Sequence, residues 1–146
     1  MKQNEFEAMI QDSTKTIVGD IAWAEDEDHS PVVEFKVQIS ESALFVKGSF
    51  NPLARTLSFT LFHPASGRLY GLDLGKDHRN PDGQMVGEKH KHRWNEPVQA
   101  REAYIPDDIT ASVEDPVSVW SQFCSEAVIT HHGILHAPPD VQLELI

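Results

Sequence analysis

Val33-Glu34-Phe35-Lys36-Val37-Gln38-Ile39 alternates apolar and polar residues without a break. Successive side chains of a strand point to opposite faces, so this pattern puts one face on a core and the other in water. Outward from it, β-like runs recur at Thr16 to Trp23, Val32 to Ser40, Leu44 to Phe50, Arg55 to His63 and Arg68 to Leu74. Turn-forming residues part them, and a connection as short as Pro64-Ala65-Ser66-Gly67 suits a hairpin, so a mainly antiparallel meander is expected.

Two helical patterns flank the strands. Phe6, Met9 and Ile10 recur at three- and four-residue steps after Asn4, a candidate cap, which predicts a short opening helix. Asp115-Pro116 supplies a second cap and a first-turn proline, and Val117, Trp120, Phe123, Cys124, Ala127 and Val128 continue at helical spacing. His131 and His132 read as its last turn and Gly133 as its left-handed stop, where the helix dipole favours cations. Val141 to Ile146, after Pro138-Pro139, reads as a final edge strand. The fold class expected is α+β: a curved, mainly antiparallel β-sheet with one long C-terminal helix packed on it, as a single domain over residues 1–146.

A content of 40% hydrophobic and 24% charged residues in 146 allows a core and argues against disorder and coiled coil. No run nears the roughly 18 apolar residues of a membrane span, and Met-Lys-Gln-Asn-Glu-Phe-Glu lacks a secretory start. A cytoplasmic location is expected. Cys124 is the only cysteine, so an internal disulfide and multi-cysteine zinc motifs are excluded, and a metal site would use histidine and carboxylate.

The net charge of −11 disfavours non-specific nucleic-acid binding and suits an acidic surface facing a protein partner. The charge is uneven. Residues 76 to 93 are net +2, with Lys76, Arg79, Lys89, Lys91 and Arg93 against Asp77, Asp82 and Glu88. Glu25-Asp26-Glu27-Asp28 is the acidic focus and reads as a solvated loop, since it lacks the glycine and ligand spacing of a calcium loop.

The chemistry-bearing segment is His78-Arg79-Asn80-Pro81-Asp82-Gly83 followed by His90-Lys91-His92-Arg93-Trp94-Asn95-Glu96. Asn80 to Gly83 fits a type I turn that folds the chain back. On a strand, His90 and His92 share a face with Cα atoms about 7 Å apart, close enough to chelate one ion, and His78 is a candidate third ligand. Three imidazoles and a water suit a zinc-like divalent metal, with Asp82, Glu96 and Asp73 as candidate bases or supporting carboxylates. Two other readings stay open: metal-free acid–base catalysis on a phosphodiester by histidines amid Lys and Arg, and exposed histidines on a hairpin that only pins the fold or a partner.

Leu72-Asp73-Leu74, His78, Asn80 to Gly83, His90, His92 and Glu96, followed by Ala103-Tyr104-Ile105-Pro106 and the pair Phe123-Cys124, give the chain a recognisable signature. Over roughly residues 44 to 130 it resembles a family of small bacterial and phage-associated proteins, a domain of unknown function with His-x-Asn-Pro-Asp-Gly and His-x-His elements. The resemblance implies a site at these residues without naming a reaction. Lys91 stands where that family tends to have an apolar residue and Trp94 where tyrosine is usual, and Lys91 implies a solvated opposite strand face.

Cys124 sits on the apolar stripe and reads as a core thiol. His131, His132 and His136 are explained by the helix end, and Trp23, Trp94 and Trp120 as core aromatics. Gly71, Gly75, Gly83 and Gly87 fit no phosphate-binding loop, so no nucleotide cofactor is implied. The expected function is a small accessory protein with a His-based polar site, divalent-metal binding and hydrolase chemistry. The competing class is a non-enzymatic acidic binder or inhibitor of phage or mobile-element origin.

Overall fold

The structure is a computed structural model that describes the chain apart from residues 26–30, 76–79, 83, 86, 88, 96, 98, 100–102, 105–108 and 140–146. The alternating stretch forms β3 (Val33–Gln38), with Val33 and Phe35 buried and Glu34, Lys36 and Gln38 exposed. With β2 (Ala24–Glu25), β4 (Phe45–Asn51), β5 (Thr56–His63), β6 (Gly67–Leu74), β7 (Lys89–Arg93) and β8 (Ala103–Tyr104) it builds one seven-stranded sheet in chain order. Every neighbouring pair is antiparallel, as the short connections predict.

One sheet face makes the core. Phe35, Val46, Phe50, Leu57, Phe59, Leu61, Tyr70 and Leu72 are buried on it. Helix α2 (Pro116–Ala127) lies against them, with the Trp120 ring 5.6 Å from Phe35 and 5.1 Å from Phe59, and Phe123 5.9 Å from Tyr70. Burying each such side chain contributes about 1.5–3 kcal/mol, which makes this layer the main source of stability. Gly48 faces Phe35 in register, and a Cβ there would lie 2.2 Å from Phe35 Cε1, so the missing side chain is what lets the ring lie flat across β4.

The register slips once. Leu61 pairs with Tyr70 but Phe62 with Arg68, leaving Leu69 as an extra residue. Such a bulge resets the alternation. Leu69 and Tyr70 therefore both turn inward, and Arg68, which strict alternation would place on the core face with Tyr70, lies opposite Phe62 on the outer face.

The helices differ from expectation at their ends. Asp115 caps α2 as predicted, accepting from Ser118 N at 3.3 Å with Pro116 first in the helix. The helix is 12 residues and stops at Ala127, because Val128 takes the left-handed conformation (φ 57°, ψ 47°) and Ile129 N closes on Cys124 O at 2.9 Å. His131 and His132 are thus not in its last turn. They belong to β9 (Thr130–His132), which pairs in parallel with β1 (Thr16–Val18). Gly133 has a different use, since a Cβ there would strike Gly19 O at 2.3 Å. The expected strand from Thr16 to Trp23 is accordingly cut short: β1 ends at Val18, Ile21 makes an isolated parallel bridge to Leu135, and β2 begins beyond the run at Ala24.

Helix α1 (Gln3–Gln11) buries Phe6 and Ile10, as its spacing predicts. Its cap is the Lys2 backbone, whose carbonyl takes Glu5 N and Phe6 N, so Asn4 lies inside the helix. The expected strand at Val141 to Ile146 and the acidic residues Asp26 to Asp28 lie outside the described residues. Among the described residues, no helix is long and apolar enough to cross a membrane.

Candidate metal centre

β5, β6 and β7 bring four polar side chains to the outer sheet face by register alone. Ser58 pairs with Asp73, and Asp73 with His90; His92, two residues on, shares that face. Asp73 Oδ2 lies 3.1 Å from His90 Nε2 and 3.4 Å from His92 Nε2, while Ser58 Oγ donates to Asp73 Oδ1 at 2.5 Å. His90 and His92 are 2% and 1% exposed, so the cluster sits beneath the surface.

The surroundings orient each ring. His90 Nδ1 faces Gly87 O at 3.0 Å, and His92 Nδ1 accepts from Arg68 Nη2 at 3.4 Å. Gly71, between them on β6, leaves the space Arg68 crosses: a Cβ there would stand 3.3 Å from Arg68 Cδ. Both ring nitrogens of His90 thus meet acceptors. A neutral ring donates only once, so His90 fits either as an imidazolium or with an ion between Nε2 and Asp73. Burial pushes the Asp73 carboxyl up, but hydrogen bonds from His90, His92 and Ser58 outweigh it and hold the group well below the usual carboxylate range.

Asp73, His90 and His92 each offer a ligand atom, all within 4.8 Å of one another. Bonds of 2.0–2.2 Å to a tetrahedral ion imply ligand–ligand edges of about 3.3–3.6 Å; the 3.4 Å pair fits, the 3.1 Å pair is slightly closer, and the two histidine ligand atoms lie within 4.8 Å of each other. The supports match as well: a metal-bound histidine commonly donates its other N–H to a backbone carbonyl, and a bound carboxylate is itself hydrogen-bonded. Arg68 opposes the ion, with Nη1 4.0 Å from Asp73 Oδ2. The residues present fit a zinc-like ion once Arg68 withdraws.

The sequence-predicted residues are only partly assembled. His90 and His92 share the site, and Asp73 joins them as a direct partner rather than a distant support. Asp82 is exposed, accepts from Gln84 N at 2.9 Å, and is not among the ligand atoms that gather at Asp73, His90 and His92. His78 and Glu96 lie outside the described residues. Asn80 is a finding of a different kind: its side chain does not close the expected turn but bonds Ala103 N at 2.7 Å and Ala103 O at 2.9 Å, covering the edge of β8. Ser58 and Arg68 escaped the sequence reading, since neither lies near the histidine motif in sequence.

The other face of β7 is not solvated at its middle, although Lys89 and Arg93 at its ends are exposed. Lys91 is fully buried between sheet and α2, ion-paired with Glu126 and 5.4 Å from the Tyr70 ring centroid. A single lysine in the sequence signalled water there; the carboxylate that α2 supplies explains its burial. His131 is structural, donating to Gly19 O at 2.7 Å and accepting from Trp120 Nε1 at 3.1 Å. Cys124 is a buried thiol whose pKa burial pushes up to about 12, unsuited to attack.

With this geometry in place, comparison with known families is decisive on kinship: the DUF6978 description matches residues 1–129. The chain belongs to DUF6978, a family of unknown function. This DUF6978 member therefore carries all of Ser58, Arg68, Asp73, His90 and His92 within the matched span. No curated protein and no solved structure matches it.

Proposed function

We propose that this protein binds one divalent, zinc-like metal ion through Asp73, His90 and His92, and that a water in the fourth position performs hydrolysis. The reading rests on one observation, the convergence of three ligand atoms at spacings of 3.1 and 3.4 Å around Asp73 Oδ2. Zinc in such a set brings its water's pKa to near 7, which supplies a hydroxide nucleophile at neutral pH. Ser58 and the Gly87 carbonyl hold the ligands in place, and Arg68 stands where it would meet an anionic group on a substrate.

Burial of His90 and His92 favours a second form of the same site, in which His78 closes the fourth position and the ion is structural. The experiment is elemental analysis of untagged protein beside Asp73→Asn, His78→Ala and the His90→Ala, His92→Ala double variant, with a screen on p-nitrophenyl acetate and bis-p-nitrophenyl phosphate. Near-stoichiometric metal lost in the double variant supports the site. Metal and hydrolysis that survive His78→Ala support the open form, and metal lost with His78 supports the closed one. Arg68→Ala is expected to tighten metal binding, since it removes a cation beside Asp73. Wild-type protein that takes up no zinc sinks the proposal and moves the function to the acidic binding or inhibitor module that the net charge of −11 suits.

A further inference from the structure

The outer face of β3, β4 and β5 carries an arrangement that the metal site does not use. Phe45 and Phe62 are register partners whose rings stack at 5.3 Å with 10° between planes. Lys36 Nζ lies 4.5 Å from the Phe45 centroid and Lys47 Nζ 5.4 Å from that of Phe62, so two ammonium groups flank two rings. Lys36 and Lys47 are themselves directly opposed across β3 and β4. Like charges so placed destabilise a sheet, and this pair sits exposed in a chain of net charge −11 with acidic side chains to spare. The bulge at Leu69 adds Arg68 to the same face, opposite Phe62. α2 and the core aromatics lie on the other side of the sheet.

We propose that this face binds single-stranded nucleic acid, with bases stacking on Phe45 and Phe62 and phosphates meeting Lys36, Lys47 and Arg68. Flat rings on an open antiparallel sheet offer a sequence-tolerant platform, because every base has a π-face. A base that stacks on a ring displaces the ammonium covering it. Stacking is the stronger contact, and the displaced lysine gains a phosphate. Lys36, Lys47 and Arg68 outnumber Glu34 and Asp73 on this face, so it is net positive in an acidic molecule, which favours a polyanion here and repels it elsewhere. The face shares Arg68 with the proposed metal site, and its proposal stands whether or not a metal binds.

The test is fluorescence anisotropy of labelled dT12 and rU12 in EDTA-containing buffer at 20 and 200 mM NaCl. Three neutralised phosphates predict a slope of log K against log salt of about −2, a loss of roughly a hundredfold over that range. Phe45→Leu with Phe62→Leu keeps the apolar bulk and is expected to weaken binding at least tenfold, with circular dichroism and the thermal midpoint confirming the fold. Lys36→Gln with Lys47→Gln is expected to reduce the slope to about −0.7. No wild-type binding at 20 mM NaCl overturns the proposal. So does binding that the leucine variant leaves intact, or equal binding of poly-aspartate or anionic vesicles, either of which marks a plain cationic patch.

Discussion

Lys15 is 3% exposed, and its ammonium donates to the carbonyls of Met9, Ile10 and Asp12 at 2.6, 2.7 and 3.1 Å. It thereby closes the C-terminal end of α1, whose last carbonyls have no partner within the helix. Burial brings its pKa down from 10.5 to about 8. Between those values the unfolded chain holds the proton and the folded chain releases it, so folding is favoured progressively as pH rises from about 8 to 10.5. Lys15→Met is expected to lose about 1–3 kcal/mol at pH 7 by stranding the carbonyls, and to abolish the rise. Urea denaturation at pH 7.5 and 9.5 checks both; a wild-type midpoint that falls between them contradicts the assignment. Neither Lys15 nor Lys91 was legible as a buried residue, because what buries each is a partner supplied from elsewhere: helix carbonyls for one, Glu126 for the other.

At the level of elements, the strands were legible wherever one face is dry and the other wet, as in β3, and the sheet order followed from their short connections. The bulge at Leu69 was not, because nothing in Arg68-Leu69-Tyr70 marks which residue is surplus until β5 fixes the register. The end of α2 was missed for a related reason. Val128 is β-branched and poorly suited to a left-handed φ of 57°, so the periodicity ran on past it. His90 and His92 were legible from their spacing, whereas Ser58 and Arg68 reach the site only through strand pairing. The same pairing makes Gly48 a sharp test of the core. Gly48→Ala sets a methyl 2.2 Å from Phe35 Cε1 and against a ring wedged by Trp23 and Trp120, so the ring has nowhere to retreat. A loss of about 1–3 kcal/mol is expected, read as a lower urea midpoint with unchanged slope. A neutral or stabilising effect shows that the ring does not rest on this glycine.

Across the whole molecule, charge and fold are arranged in opposition. The core lies on one side of the sheet with α1 and α2, and the outer face gathers Lys36, Lys47 and Arg68 against Glu34, with Asp73 turned toward its histidines. Those three cations are a quarter of the 12 Lys and Arg in the chain, so the remaining surface is more acidic than the net −11 suggests and repels itself when compact. Salt acts on this repulsion through the screening length, which falls from about 30 Å at 10 mM to about 8 Å at 150 mM. Exposed ion pairs such as Arg55 with Glu114 are weakened too, but each contributes only about 0–1 kcal/mol and unlike pairs are outnumbered here. The repulsive term is the larger. Raising NaCl from 10 to 150 mM is therefore expected to stabilise the fold by about 1 kcal/mol, roughly 4 °C in the calorimetric midpoint for a chain of this size. The same change weakens any polyanion held on the outer face, so stability and nucleic-acid binding are expected to move in opposite directions along one salt series. A midpoint that stays flat or falls over this range shows that the acidic groups are compensated locally, and that the cations of the outer face are not segregated from them.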